Sequence, residues 1–224
     1  MDAGGTVIWP DFDRIKEIIF EVTGRSVNPT ELFDQFYRII HEFDRLSLSA
    51  KEPVSLSWNW YFEHLTAPWI NSKYDLASIL AKLKRTHEKL HMWTFTFDFV
   101  KVVLEKLKKN KYRLGLISNA EGQIQNQFET LGIAHHFEFL IDSQVVGIAK
   151  PDKRIFDLAL ERAKTKPQEA IYIADTYSID VLGARQVGLE TILIDPLDLY
   201  SDKKDVMRIK NINQIFDILK LSAN

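Results

Sequence analysis

Four short groups of residues carry side chains that could act together on a phosphoryl group. They are Asp2–Thr6 (sequence DAGGT), Ser118 with Asn119, Lys150, and Asp175 with Asp180. A carboxylate can be a nucleophile or a ligand of Mg²⁺, which usually binds one or two carboxylates. Serine and asparagine donors at a helix N-terminus suit phosphate oxygens, and a lysine supplies positive charge. Such a set predicts phosphoryl transfer, in which the protein mainly positions the group and stabilises its charge.

The elements that must position these groups are predicted from residue 97 onward. Apolar runs indicate strands, amphipathic spacing indicates helices, and Gly132 and Gly188 end two of the helices. The predicted strands are 112–117, 137–141, 170–174 and 191–194, and the predicted helices are 99–109, 121–131, 152–163, 179–187 and 212–221. This alternation predicts an α/β fold with a doubly wound, parallel, Rossmann-like sheet. Functional side chains in such folds lie at the carboxyl ends of the strands, where these groups occur.

A different pattern occupies the preceding segment. Residues 25–114 contain none of the nine glycines but four of the five tryptophans, and their apolar residues recur at helical spacing. We therefore predict an all-helical domain over residues 12–96, inserted into a core domain made of residues 1–11 and 97–224.

Composition excludes several classes of protein. The 224 residues include no cysteine, which excludes disulfide scaffolds, thiolate zinc sites and cysteine nucleophiles. The 29 basic and 31 acidic residues are balanced, so a nucleic-acid partner is not expected. Neither a signal peptide nor an apolar run of the roughly 20 residues that span a bilayer is present, so we expect a cytoplasmic protein without a membrane partner.

The four groups, in this order, resemble the motifs of the haloacid dehalogenase superfamily, particularly its phosphatase-like members with a helical cap after the first motif. LISNA, KPDKRIF and IADTYSIDVLGA carry the later motifs, and the resemblance covers residues 2–195. It implies that Asp2 attacks phosphorus and forms an aspartyl-phosphate that water hydrolyses. It further implies that Ser118, Asn119 and Thr6 bind phosphate, and that Lys150 orients and neutralises it. Mg²⁺ would be held by Asp2, the Gly4 carbonyl and Asp175, with Asp180 acting through Lys150 or water.

The chain departs from the family pattern at two positions. Phosphatases of the family usually have an acid–base aspartate two residues after the nucleophile, where this chain has Gly4. Loss of that group predicts a weak phosphatase, or one biased toward activated phosphates such as acyl phosphates, because general acid–base catalysis is worth about 10²–10⁴-fold. In addition, Met1 directly precedes Asp2, so the first core strand of the family is expected to be truncated.

The favoured function is a Mg²⁺-dependent hydrolase of a small phosphorylated metabolite, working as a monomer or homodimer. One alternative is a non-catalytic binding or regulatory protein, for which Gly4 and the missing first strand argue. The other is a metal-free 2-haloacid dehalogenase. The dehalogenase function is disfavoured because those enzymes typically have a small polar residue where this chain has Asp175. They also typically have a tyrosine where this chain has Phe156.

Overall fold

A computed structural model describes residues 1–50 and 57–219 of the chain. The chain divides into two compact units, which we call the core unit (Met1–Ile8 and Thr96–Asn224) and the helical unit (Trp9–Phe95). The first segment of the core unit ends at Ile8, and its second segment begins at Thr96. The limits predicted from the sequence were residues 11 and 97.

Four helices form most of the helical unit, and side chains that cap their ends explain where they begin. The helices are α1 (Phe12–Thr23), α2 (Pro29–Ser49), α3 (Trp58–Thr66) and α4 (Lys73–Leu90). Asn28 accepts from the Thr30 amide at the start of α2, and Ser72 and Asp75 form a capping box at α4. Gly24 ends α1 in the left-handed conformation at φ +71°.

Aromatic side chains make the core of the helical unit. Phe36, Tyr61 and Phe62 are almost completely buried. The Tyr61 ring lies 6.3 Å from that of Phe36 and 4.8 Å from that of Phe62, in edge-to-face contacts that add to the energy of burial. Aromatic side chains of α2 and α3 therefore pack together inside the helical unit.

Parallel strands form the core unit, which confirms the predicted α/β class. The strands are β1 (Gly115–Ser118), β2 (Phe139–Asp142), β3 (Ile171–Ala174), β4 (Glu190–Ile194) and β5 (Met207–Ile209). They pair as β1–β2 and as β3–β4–β5, and every pair is parallel. The single predicted sheet is therefore divided into two hydrogen-bonded parts.

The main chain of Met1 and Asp2 lies between these two parts. The Met1 nitrogen donates to the Gly115 carbonyl at 2.8 Å, and the Met1 carbonyl accepts from the Ile117 amide at 3.0 Å. The Asp2 amide donates to the Ile173 carbonyl at 2.8 Å. These bonds follow the pattern of parallel pairing. The position of the expected truncated strand is thus occupied by two residues, which join β1 to β3 beside the site.

Helices cover the core strands with apolar residues. They are α5 (Asp98–Lys109), α6 (Ile124–Thr130), α7 (Ser143–Val146), α8 (Lys153–Ala163), α9 (Leu182–Arg185) and α10 (Ile215–Ile218). Ile155 and Phe156 of α8 pack with Ile117, Ile141 and Tyr172 of the strands in one buried cluster. Phe156 is fully buried there, so it is a core residue in this fold.

Two helix predictions were partly wrong. The predicted helix 179–187 begins earlier, as a π-helical turn over Tyr177–Val181, and only Leu182–Arg185 is α-helical. The predicted final helix 212–221 is a short 3₁₀ turn followed by α10, and its last two residues lie outside the described part of the chain. In the residues that the structure describes, no helix is long and apolar enough to cross a membrane.

Candidate active site

Asp2 lies where the chain leaves the two sheets and enters a tight turn. The Ala3 carbonyl accepts from the amides of Thr6, Val7 and Ile8, at 3.3, 2.8 and 2.9 Å. Gly5 has φ +64°, a left-handed conformation that glycine adopts without steric cost. The DAGGT sequence therefore folds into a turn directly after Asp2. The Gly5 amide bonds to the Ile8 carbonyl, and among the described residues none of the bonds of this turn uses the Gly4 carbonyl.

Lys150 connects two of the predicted carboxylates. Its Nζ lies 2.5 Å from Oδ1 of Asp2 and 2.7 Å from Oδ1 of Asp180. All three side chains are less than one-tenth exposed. A buried ammonium needs such partners, because an unpaired charge in this environment costs several kcal/mol. For Lys150, burial alone would lower the pKa, but the adjacent Asp180 and Asp2 carboxylates outweigh it and raise the pKa.

Asp180 is held by two hydroxyl donors that the sequence did not indicate. It accepts from the Tyr172 hydroxyl at 2.9 Å and from the Thr176 hydroxyl, in addition to Lys150. The Tyr172 oxygen also lies 3.4 Å from Lys150 Nζ. Tyr172 lies in the apolar run of β3, which predicts that its ring is buried. The run does not predict which group its hydroxyl contacts. These bonds fix Asp180 on its π-helical turn, and Asp180 in turn fixes Lys150.

Asp175 directly follows β3, at the edge predicted for it. Asp2, Asp175 and Asp180 each offer a carboxylate oxygen, and these oxygens lie within 4.8 Å of one another. Burial, followed by the negative charges of Asp2 and Asp180, raises the pKa of Asp175 well above its ordinary value. Burial likewise raises the pKa of Asp2 to about 6, against the opposing effect of Lys150.

The donor set fits a hard divalent cation. Three buried acidic side chains share one lysine ammonium here, so a bound cation would favour their charged forms. Oxygen ligands of this type suit Mg²⁺, whereas the described part of the site offers neither the imidazole nor the thiolate that zinc prefers. Because Asp180 already has three donors, Asp2 and Asp175 are the carboxylates better placed to bind a cation.

The predicted phosphate ligands lie around this cluster in different ways. Ser118 ends β1, is buried, and pairs in register with Asp142 of β2. Thr6 lies in the Asp2 turn, and its buried Oγ1 has no hydrogen-bond partner among the described residues. The Asn119 amide instead bonds to the main chain of Lys150. The role of all three residues in binding phosphate stays a prediction.

Asp142 and Ser143 hold the loop that follows Ser118. The Asp142 carboxylate accepts from the amides of Gly122 and Ile124, at 3.0 and 3.2 Å. The Ser143 hydroxyl accepts from the Ala120 amide at 3.1 Å. Asp142 and Ser143 directly follow the predicted strand 137–141, which places them at the carboxyl edge of the strands. That position does not indicate which groups they bond to.

The fold and the site define a Rossmann-like α/β protein with a buried aspartate–lysine–aspartate cluster at the carboxyl edge of its strands. The family model for haloacid dehalogenase-like hydrolases matches residues 35–194. The chain therefore belongs to the haloacid dehalogenase-like hydrolase family, as the motifs predicted.

Similar proteins agree with this assignment. Over 181 residues the chain is 29% identical to human haloacid dehalogenase-like hydrolase domain-containing protein 3, covering 76% of this chain and 70% of that protein. Over 123 residues it is 36% identical to a glyceraldehyde 3-phosphate phosphatase of Methanothermobacter thermautotrophicus, covering 50% of this chain and 54% of that protein. Among the relatives, the match spans 40% of the mouse domain-containing protein 3 and 50% of the bovine one.

Solved structures share the fold. The HAD-hydrolase YfnB from Bacillus subtilis, whose structure is bound to magnesium, matches with a TM-score of 0.63 at 19% identity. The match covers 98% of this chain and 96% of that one. At this identity the likeness supports the fold alone.

Proposed function

We propose that this protein is a Mg²⁺-dependent phosphohydrolase that acts on a small phosphorylated metabolite through an aspartyl-phosphate on Asp2. The observation that carries the proposal is the contact of 2.5 Å between Lys150 Nζ and Asp2 Oδ1, with the Asp175 carboxylate beside them. The phosphatase name of the archaeal relative supports the reaction class.

In the first step, an Asp2 carboxylate oxygen attacks phosphorus while the bond from phosphorus to the leaving-group oxygen breaks. In the second step, water attacks the phosphorus of the acyl phosphate, which releases inorganic phosphate and regenerates the carboxylate. The Lys150 ammonium offsets negative charge on the transferred group, and the Ser118 hydroxyl donates to one of its oxygens. Asp180 keeps Lys150 in place through the 2.7 Å contact.

Mg²⁺ would be held by the carboxylates of Asp2 and Asp175 together with the Gly4 carbonyl, and it would neutralise charge on the phosphoryl oxygens. The three clustered carboxylates support this assignment because their mutual repulsion favours a bound cation.

The substrate preference follows from Gly4. A glycine has no side chain that could protonate a leaving alkoxide or activate water. A carboxylate leaving group needs no proton, so we propose a preference for acyl phosphates over sugar phosphates. Loss of general acid–base catalysis lowers the rate for alkyl esters by about 10²–10⁴-fold.

The test is hydrolysis of acetyl phosphate, glucose 6-phosphate and p-nitrophenyl phosphate, with Mg²⁺ and with EDTA. We expect Mg²⁺-dependent turnover that is fastest with acetyl phosphate and is lost in Asp2→Asn. Asp195→Asn is the matched control, since Asp195 follows β4 as Asp175 follows β3 but bonds to the Leu199 and Tyr200 amides and to Arg208. Absence of turnover by a folded protein that binds Mg²⁺ would favour the non-catalytic alternative, and halide release without metal would favour the dehalogenase.

A further inference from the structure

The side chain of Asn119 is paired with the main chain of Lys150 at two points. Its Oδ1 accepts from the Lys150 amide at 2.8 Å, and its Nδ2 donates to the Lys150 carbonyl at 3.0 Å. The two residues are 31 positions apart in the sequence. One amide group thus satisfies both the donor and the acceptor of a single residue, as a neighbouring strand would do.

Lys150 needs such support because it lies outside the regular elements. Its segment connects α7 to α8, and neither a strand nor a helix ladder pairs its main chain. A lysine side chain has four rotatable bonds, so the placement of its Nζ depends on where the main chain begins. Here that Nζ reaches Asp2 at 2.5 Å and Asp180 at 2.7 Å.

Asn119 itself is held firmly. It follows Ser118 at the end of β1, and the loop beyond it is bonded to β2 and α7. The Ser143 hydroxyl bonds to the Ala120 amide at 3.1 Å, and the Asp142 carboxylate bonds to the Gly122 amide at 3.0 Å. The pairing therefore connects Lys150 to a loop that is fixed independently.

We infer that Asn119 is a positioning residue, which holds the main chain of Lys150 so that its ammonium meets Asp2 and the phosphoryl group. Both polar atoms of the amide bond to the Lys150 main chain, so Asn119 acts on the site through Lys150. The second N–H of its Nδ2 is the donor that a direct phosphate ligand would use instead, and the test distinguishes these two roles. The inference rests on the proposed function for the role of Lys150.

The test is a double-mutant cycle on the affinity for inorganic phosphate, measured by calorimetry in the presence of Mg²⁺. The variants are Asn119→Ala, Lys150→Met and the double variant. We expect Asn119→Ala to weaken phosphate binding and to lower kcat for acetyl phosphate by about 10- to 100-fold, since misplacement by about 1 Å costs this much. In the Lys150→Met background we expect Asn119→Ala to change phosphate affinity less than about twofold, because the effects of groups that act as a unit do not add.

A stability measurement separates positioning from simple structural support. The Asn119 bonds reach main-chain atoms, so Asn119→Ala is expected to lower the urea midpoint by the same amount in both backgrounds. If Asn119 positions Lys150, the effects of the two substitutions on stability add. Their effects on phosphate affinity do not add. Asn211→Ala is the control, because Asn211 also bonds to a main-chain amide, that of Asn213, away from the site. It should lower the midpoint without changing phosphate affinity.

Additive losses of phosphate affinity in the cycle would overturn the inference and assign Asn119 as a direct phosphate ligand. Phosphate binding unchanged by Lys150→Met would instead contradict the proposed function at Lys150. Where Asn119→Ala does not fold, Asn119→Ser is used in the same cycle, with the same expected outcomes.

Discussion

Lys150 donates a hydrogen bond to Asp2 across 148 positions of sequence, with 2.5 Å between Nζ and Oδ1. The same ammonium lies 2.7 Å from Asp180, so one positive charge is shared by two buried carboxylates. This relationship joins the first, third and fourth predicted motifs into one site.

Removal of the Lys150 charge is expected to destabilise the fold. Lys150→Met leaves the Asp2 and Asp180 carboxylates buried without their cation, and breaking a buried pair in this way costs about 3–5 kcal/mol. Urea unfolding measures the loss. Asp180→Asn added to Lys150→Met should restore part of it, because it removes one of the unpaired charges.

The control for this prediction is the exposed pair between Lys153 and Asp157, 2.8 Å apart. Lys153→Met should cost no more than about 1 kcal/mol, since exposed pairs contribute little. Equal losses of unfolding free energy for Lys150→Met and Lys153→Met would show that the buried Lys150 pairs contribute no more to stability than an exposed pair.

Asp175 is expected to have opposite effects on the free protein and on the metal-bound protein. Asp175→Asn removes one of three neighbouring buried carboxylates, so the metal-free protein should be as stable as before or more stable. The same change removes a proposed ligand of Mg²⁺. Mg²⁺ at roughly 100 times its Kd should stabilise the unchanged protein by about 2.7 kcal/mol, and this gain should vanish in Asp175→Asn.

Thermal unfolding with Mg²⁺ and with EDTA makes this comparison. Asp195→Asn should keep the response to Mg²⁺ because Asp195 bonds to Arg208 and to the amides of its own loop. A full Mg²⁺ response in Asp175→Asn would remove Asp175 from the metal site.

Tyr172→Phe tests the support beneath Asp180. The hydroxyl donates to Asp180 at 2.9 Å, and its loss should cost about 1 kcal/mol of stability. We also expect kcat to fall several-fold, because Asp180 then holds Lys150 less firmly. Tyr177→Phe is the matched change, since the Tyr177 hydroxyl donates to Asp205 at 2.8 Å and not to the carboxylate cluster. A decrease of kcat that is the same in both variants would contradict a specific role for Tyr172.

Gly4→Asp should restore acid–base catalysis for poor leaving groups. Gly4 is not one of the glycines with positive φ, so an aspartate can adopt its backbone conformation. The kcat/KM for a sugar phosphate, which reports transfer of the phosphoryl group to Asp2, should rise by up to about 10²–10⁴-fold, while the kcat/KM for acetyl phosphate changes little. Gly4→Asn provides a side chain of the same shape without the acid. An unchanged ratio of the two rates in Gly4→Asp would show that Gly4 does not set the substrate preference.

Most strands and helices of the core unit could be predicted from the sequence, because local residue patterns mark them. Apolar runs located β1 to β4, and the position of Asp175 directly after β3 was predicted correctly. The strand β5 was not predicted, since Met207–Ile209 is only three residues long and includes Arg208. Its pairing with β4 is a tertiary event that short sequences do not specify.

Two contacts between distant residues were not predicted, for the same reason. The pairing of Asn119 with the main chain of Lys150 leaves no mark in the types of its neighbours. The contact of the Tyr172 hydroxyl with Asp180 was not predicted either. The apolar pattern of β3 predicts a buried ring, whatever group its hydroxyl contacts. Both contacts depend on how the loops after β1 and β3 meet in the folded core unit.

Trapping the proposed covalent intermediate tests directly whether Asp2 is the nucleophile. The protein is mixed with acetyl phosphate and Mg²⁺, quenched in acid within one turnover, and reduced with borohydride, which converts an aspartyl-phosphate into homoserine. We expect peptide mapping to find homoserine at position 2, dependent on substrate and on Mg²⁺. Turnover that leaves Asp2 unreduced, or homoserine at another aspartate, would contradict the assignment of Asp2 as the nucleophile.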